Sequence, residues 1–186
     1  MKLTLLIAAI GLLAPCVGAA TQPKVVRPDT VVPIPFPGHA TATLAAPTDT
    51  QSRTAVLELE VPPRTFGAPP HVHSHEDEYF YVLDGRVEFL DRDTVVTAQA
   101  GSLLVLPRGN VHGFWNLTDA PARLLLVVAP GDFAGFFDDV VARIRADHIQ
   151  DPEAVAALIG LAAAQRGVQV LPERTPESAR ALLTPQ

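Results

Sequence analysis

From residue 54 onward the chain is written in short apolar runs with a period of two. Ala55, Leu57, Leu59 and Val61 form one face of residues 54–61, opposite Thr54, Val56, Glu58 and Glu60, which predicts a half-buried strand. Further runs at 78–83, 86–90, 94–98, 102–106, 112–117 and 122–129 are separated by Gly, Pro and Asp breaks. Asp84-Gly85 reads as a hairpin turn, and 91–93 as a second turn. Evenly spaced short strands predict an all-β sandwich or barrel rather than alternating βαβ units. After Pro130 the period changes. Phe133, Phe136, Phe137, Val140, Val141 and Ile144 recur at helical spacing, with Asp132 placed to cap them. This Phe stripe is expected to pack on the β domain. Asp151-Pro152-Glu153 predicts a second helix with an acidic cap and Pro in its first turn, ended by Gly167. Thr175-Pro176-Glu177 repeats that opening before a short third helix.

The two ends differ from this body. Met1-Lys2, the uncharged run 3–14 and the small residues Val17-Gly18-Ala19-Ala20 have the layout of a secretory signal, with cleavage expected after Ala19 or Ala20. The apolar run is too short to span about 30 Å of hydrocarbon at about 1.5 Å per residue. Acylation at Cys16 is the alternative, disfavoured by Pro15. An exported chain, periplasmic or secreted, is the expectation, without a membrane span once 1–20 is removed. Residues 21–38 hold five prolines and read as an extended arm or edge strand. The expected organisation is a signal at 1–20, a proline-rich arm at 21–38, a β domain at 39–130 and a helical extension at 131–186.

Charge and composition narrow the function. Fourteen Lys and Arg stand against twenty Asp and Glu, a net charge of −6. Without residues 1–20 the count is thirteen against the same twenty, or −7. A chain this acidic lacks the basic footprint of a nucleic-acid binder. The single cysteine, Cys16, falls in the signal, so the exported chain has no thiolate chemistry and no Cys metal site.

Six His remain, and three stand in His71-Val72-His73-Ser74-His75-Glu76-Asp77-Glu78. Two His two positions apart on a strand point to one face, so their imidazoles converge as a metal requires. Glu78 opens an apolar run, where an ionised carboxylate is costly unless paired or coordinated. A solvated loop is the competing reading of this stretch. A second stretch places Gly101, Pro107, Gly109, His112 and Asn116 in the pattern G-x5-P-x-G-x2-H-x3-N.

With those residues in view the sequence resembles the cupin family. The second cupin motif is matched at every position. Of the first, His71, His73, Glu78 and Gly85 stand at the expected spacing, while three residues instead of five separate Gly67 from His71. Taking His73 and His75 as the pair would require an acid at 79 or 80, where Tyr79 and Phe80 stand. The resemblance therefore implies His71, His73, Glu78 and His112 as ligands of one divalent ion per chain, among Fe, Mn, Ni, Cu and Zn. It implies a jelly roll, the cupin double-stranded β-helix, with a C-terminal α-helical extension. More loosely, the run from Pro130 to Phe137 and the segment 151–168 resemble the tail of quercetin-dioxygenase-like single-domain cupins. That implies a mononuclear metal dioxygenase for a small aromatic or flavonol-like molecule, with Glu78 as the catalytic residue that takes a substrate proton. A non-oxidative isomerase or lyase and a non-catalytic binding protein stay open, as does a homodimer. Phe80, Val82, Leu104, Leu106 and Phe114 are candidate pocket walls. Asn116 is placed either to bond an imidazole or to hold backbone. His39, His75 and His148 are expected at the surface, with a supporting role beside the metal left open for His75.

Overall fold

A computed structural model describes residues 22–183. The expected signal at 1–20, with Cys16, lies outside the described residues. Eleven strands form two sheets: β1 (Ile34–Phe36), β2 (His39–Ala45), β3 (Ala55–Val61), β4 (Thr65–His73), β5 (Asp77–Asp84), β6 (Arg86–Asp91), β7 (Thr94–Gln99), β8 (Leu103–Leu106), β9 (His112–Asn116), β10 (Ala122–Ala129) and β11 (Val168–Val170). One sheet runs β1-β2-β3-β10-β5-β8, the other β11-β4-β9-β6-β7, with antiparallel pairing throughout. Two sheets packed face to face bury the alternating apolar positions between them. Ala55, Leu57, Leu59 and Val61 are all buried in β3, and Leu124, Leu126 and Val128 meet them from β10.

Three local expectations change. Asp84-Gly85 is not a hairpin: β5 pairs in one sheet and β6 in the other, so the chain turns a corner between sheets. Gly85 has φ +76, and a Cβ there would stand 2.8 Å from the Pro121 carbonyl. The corner therefore needs glycine for both its conformation and its closeness to β10. The true hairpin joins β6 to β7 through Arg92-Asp93. Asp132 does not cap the Phe-rich helix. Residues Gly131–Ala134 form a 3-10 turn, α1 (Gly135–Ala146) begins after it, and Asp132 instead pairs with Arg53. Gly167 does end α2 (Pro152–Ala164), but the chain then forms β11 on the edge of β4. No hydrophobic run marks so short a strand. The extension closes with α3 (Glu177–Arg180).

Phe133 in the 3-10 turn and Phe136, Phe137, Val140 and Val141 in α1 are buried, and α1 lies against β1. Among the described residues no helix is long and apolar enough to cross a membrane.

Candidate metal centre

Three neighbouring segments build the site. β4 carries His71 and His73 on one face despite Pro69 and Pro70, because its pairing with β9 shifts register between Ala68 and His71. A proline that cannot donate to a ladder is accommodated at such an irregularity. β9 runs antiparallel beside it and sets His112 directly across from His71. Glu78 comes from β5, in the facing sheet. The candidate centre thus lies between the sheets, three imidazoles on one side and one carboxylate on the other. One ligand atom from each of His71, His73, Glu78 and His112 lies within 4.8 Å of all the others.

The hydrogen bonds aim the rings. His71 Nδ1 bonds the Pro69 carbonyl at 2.7 Å, His73 Nδ1 bonds Glu76 Oε2 at 3.0 Å, and His112 Nδ1 bonds the Asn110 carbonyl at 3.1 Å. With all three Nδ1 atoms engaged outward, the network assigns their protons there and leaves each Nε2 toward the centre. His112 Nε2 stands 3.0 Å from Glu78 Oε2. His73 Nε2 is buried without a hydrogen-bond partner, 3.6 Å from Glu78 Oε1. An orphaned ring nitrogen inside a three-imidazole, one-carboxylate cluster fits a divalent cation. The donor set suits Zn, Cu, Ni and Fe alike.

Burial opposes charge on Glu78, yet the close approach of His112 and the other imidazoles around it outweigh it and hold the carboxyl well below its usual range. Burial, with the His112 and His73 charges adding to it, pushes His71 down to about 3. On His73 burial likewise opposes a proton, but Glu76 and Glu78 overcome it and raise the ring. Near neutral pH Glu78 is thus anionic and His71 neutral, as coordination needs, while a cation would have to compete with the proton that Glu76 and Glu78 favour on His73.

Glu76 is the buried partner of the candidate centre that sequence reasoning passed over. It is buried and receives His73 Nδ1–H. Its signal was an acid three residues beyond His73, close enough to fold back in the turn that follows β4. Asn116 holds backbone rather than an imidazole: its amide donates to the Val61, Pro62 and Ala120 carbonyls. His75 and His148 are exposed. His39 is not. It is 4% exposed, because Phe36, Phe114 and Phe137 enclose its ring at centroid distances of 5.1, 5.9 and 5.7 Å.

His71 and Glu78 line one wall of a cavity of about 110 Å³. Phe80 and Phe114 from the barrel, Phe133, Phe136 and Phe137 from the turn and α1, and Ile159 from α2 form much of the rest. Of the expected walls, Val82, Leu104 and Leu106 pack in the core instead. Phe133 also stands edge-on to His73, 4.6 Å between centroids. Gly67 explains its own position: a Cβ there would meet the Phe114 ring at 2.2 Å, so glycine lets that ring turn into the cavity.

Residues 57–128, which contain all four candidate ligands, match the family described as Cupin domain. The two-sheet β domain has the cupin double-stranded β-helix fold. Among solved structures the chain is similar to a predicted oxalate decarboxylase from Thermotoga maritima, with 22% identity and a TM-score of 0.54 over 57% of this chain and 98% of that one. That likeness concerns the fold. It is also similar to the polyketide cyclase RemF from Streptomyces resistomycificus, at 26% identity and a TM-score of 0.50, over 59% of this chain and 80% of the other. Over 50 residues it is 44% identical to the oxidoreductase OpS7 of Beauveria bassiana. That stretch is 26% of this chain and spans only 16% of the Beauveria protein's length.

Proposed function

We propose that this cupin is an exported metal-dependent enzyme of the oxidoreductase kind that transforms a small, largely apolar molecule. The observation that carries the reading is the convergence of His71, His73, His112 and Glu78 at the wall of an aromatic-lined cavity. The match to an oxidoreductase supports the redox reading over a short stretch. The cavity favours a single-ring substrate. At about 110 Å³ it falls short of the roughly 150 Å³ that accommodates benzene in an engineered core, so one ring is the upper bound and enters with some give in the Phe walls. A three-ring flavonol would have to displace α1 and α2.

His71, His73, Glu78 and His112 would hold the cation. It would supply Lewis acidity and, where its oxidation state changes, electron transfer. The chain supplies the rest. Glu76 and the Pro69 and Asn110 carbonyls fix which nitrogen each imidazole presents. The Phe walls exclude water, which strengthens every charge interaction inside. Glu78 sits on the cavity wall as an anion, placed to take a proton from a substrate hydroxyl.

A non-oxidative reaction is the second reading. It is favoured by the similarity to a polyketide cyclase. An envelope site that follows raw affinity would also carry Zn, Cu or Ni, and Zn has no redox chemistry. Elemental analysis of native material, with dioxygen uptake over a panel of single-ring phenols and a flavonol, tests both. Uptake with Fe, Mn, Ni or Cu that His112→Ala abolishes supports the oxidoreductase. Turnover by the zinc form without uptake supports the alternative. Equal metal retention by wild type and His112→Ala overturns the site. N-terminal sequencing of exported protein tests export: Ala20 or Thr21 supports it and a retained Met1 refutes it.

A further inference from the structure

His39 is the buried titratable group that the metal centre does not use. It opens β2, across from Phe36 in the β1–β2 pair, and its ring lines the same cavity as His71 and Glu78. Phe36, Phe114 and Phe137 enclose the ring. Its Nδ1 is engaged with Thr41 Oγ1 at 2.8 Å, and that Thr is itself fully buried. A backbone hydrogen bond at Ala40 also favours a proton on the ring. The Thr hydroxyl can donate or accept, so Nδ1 is satisfied in either tautomer and the ring's remaining side-chain hydrogen-bonding position is Nε2. Burial pushes the ring down to about 4, so near neutral pH it carries no charge.

A ring nitrogen without a side-chain partner, on a wall made largely of Phe side chains, discriminates between ligands. One that brings a hydroxyl, which can donate or accept, satisfies it in either tautomer, while one of the same shape without a polar group leaves it unpaired. The cavity size limits that ligand to about one ring, and the Phe side chains around it suit an aromatic face. We propose that His39 determines the specificity of this cupin by exchanging a hydrogen bond, through Nε2, with the hydroxyl of a single-ring phenol whose opposite edge lies toward His71 and Glu78. This rests on the reading of the cavity as the substrate site. It names the substrate class and a recognition group that lies outside both histidine-bearing motifs.

The test is calorimetric binding of phenol and toluene, which have nearly the same shape, to zinc-loaded wild type, His39→Phe, His39→Leu and His39→Gln. Comparing the phenol-to-toluene affinity ratio between proteins cancels the different hydration of the two ligands. The ratio is expected to fall at least about tenfold in His39→Phe. His39→Leu gives the same readout if the Phe variant does not fold. His39→Gln, which keeps an acceptor in the cavity, is expected to restore most of the ratio. An unchanged ratio in the Phe and Leu variants overturns the proposal, as does failure of wild type to bind either ligand. Zinc content of the same samples separates this idea from the enzyme reading. His39-dependent phenol binding by a protein that holds no stoichiometric metal would sink the metal enzyme and leave His39 standing. Normal metal content with a His39-independent ratio would sink this inference alone.

Discussion

Single side chains decide how the site behaves. Glu76 never touches the converging Nε2 atoms, yet it is what His73 Nδ1 bonds, so it sets that ring's orientation and basicity. Glu76→Gln is expected to weaken metal binding roughly tenfold to a hundredfold, read by chelator competition; unchanged affinity would remove Glu76 from that role. His39 acts on stability as well as on the cavity. Folded, its ring takes a proton only near pH 4, against 6.5 when unfolded. Between those values the unfolded chain binds more protons, so stability is lost as pH falls through the window. His39→Phe should remove up to about 3 kcal/mol of that acid sensitivity. Denaturant unfolding of both proteins at pH 7 and pH 4.5 measures it, and identical slopes against pH would contradict the burial of a neutral ring. His71 titrates in both proteins and cancels in the difference.

At the scale of elements, the helical extension is part of the cavity rather than an appendage. α1 brings Phe136 and Phe137 to it, α2 brings Ile159 and Ala163, and β11 brings Val168 and Val170 while pairing with the His71–His73 stretch. Of these elements, α2 is expected to yield to a single surface change. Asp151 accepts from the Ala154 amide at 2.9 Å and Pro152 follows it, the cap the sequence predicts. Asp151→Ala should cost about 1 kcal/mol, seen as a lower unfolding midpoint. It should also raise hydrogen exchange in α2 and β11 before it does so in β3 and β10. Uniform loosening would mean the extension and the barrel unfold as one unit. Asp77 ties the turn before His112 to the strand bearing Glu78 by accepting three hydrogen bonds from Arg108. That pair is exposed, so its value is in register more than in stability.

For the whole molecule, the consequence of the site is a bond between sheets. The ligands come from β4 and β9 on one side and β5 on the other, so a cation would cross-link the two layers of the core. Anything that binds the folded chain alone stabilises it, by about 2.7 kcal/mol at a free concentration one hundred times its dissociation constant. Zinc is therefore expected to raise the unfolding temperature and EDTA to lower it, with both shifts abolished by His112→Ala and retained by His75→Ala. Scanning calorimetry checks this. A zinc shift that survives His112→Ala would place the ion elsewhere on this acidic chain.

What the sequence determined by itself is local. Alternation over 54–61 specifies which side of β3 is buried, because successive strand residues point to opposite faces. The spacing of His71 and His73 places two imidazoles on one face for the same reason, and Asp151-Pro152 marks a helix start through backbone chemistry that needs no distant partner. The partnership of these two with Glu78 and His112 was legible only through a family resemblance, since local patterns carry no register between segments. Tertiary structure decided the rest. Whether Asp84-Gly85 forms a hairpin or a corner depends on which sheets β5 and β6 join, and that depends on β10 and β9. Whether residues 168–170 form a strand depends on the free edge of β4. His39 stands between glycine and alanine in a proline-rich stretch that reads as surface. It is buried because Phe114 and Phe137, far along the chain, close over it, and burial by distant residues leaves no mark in local periodicity.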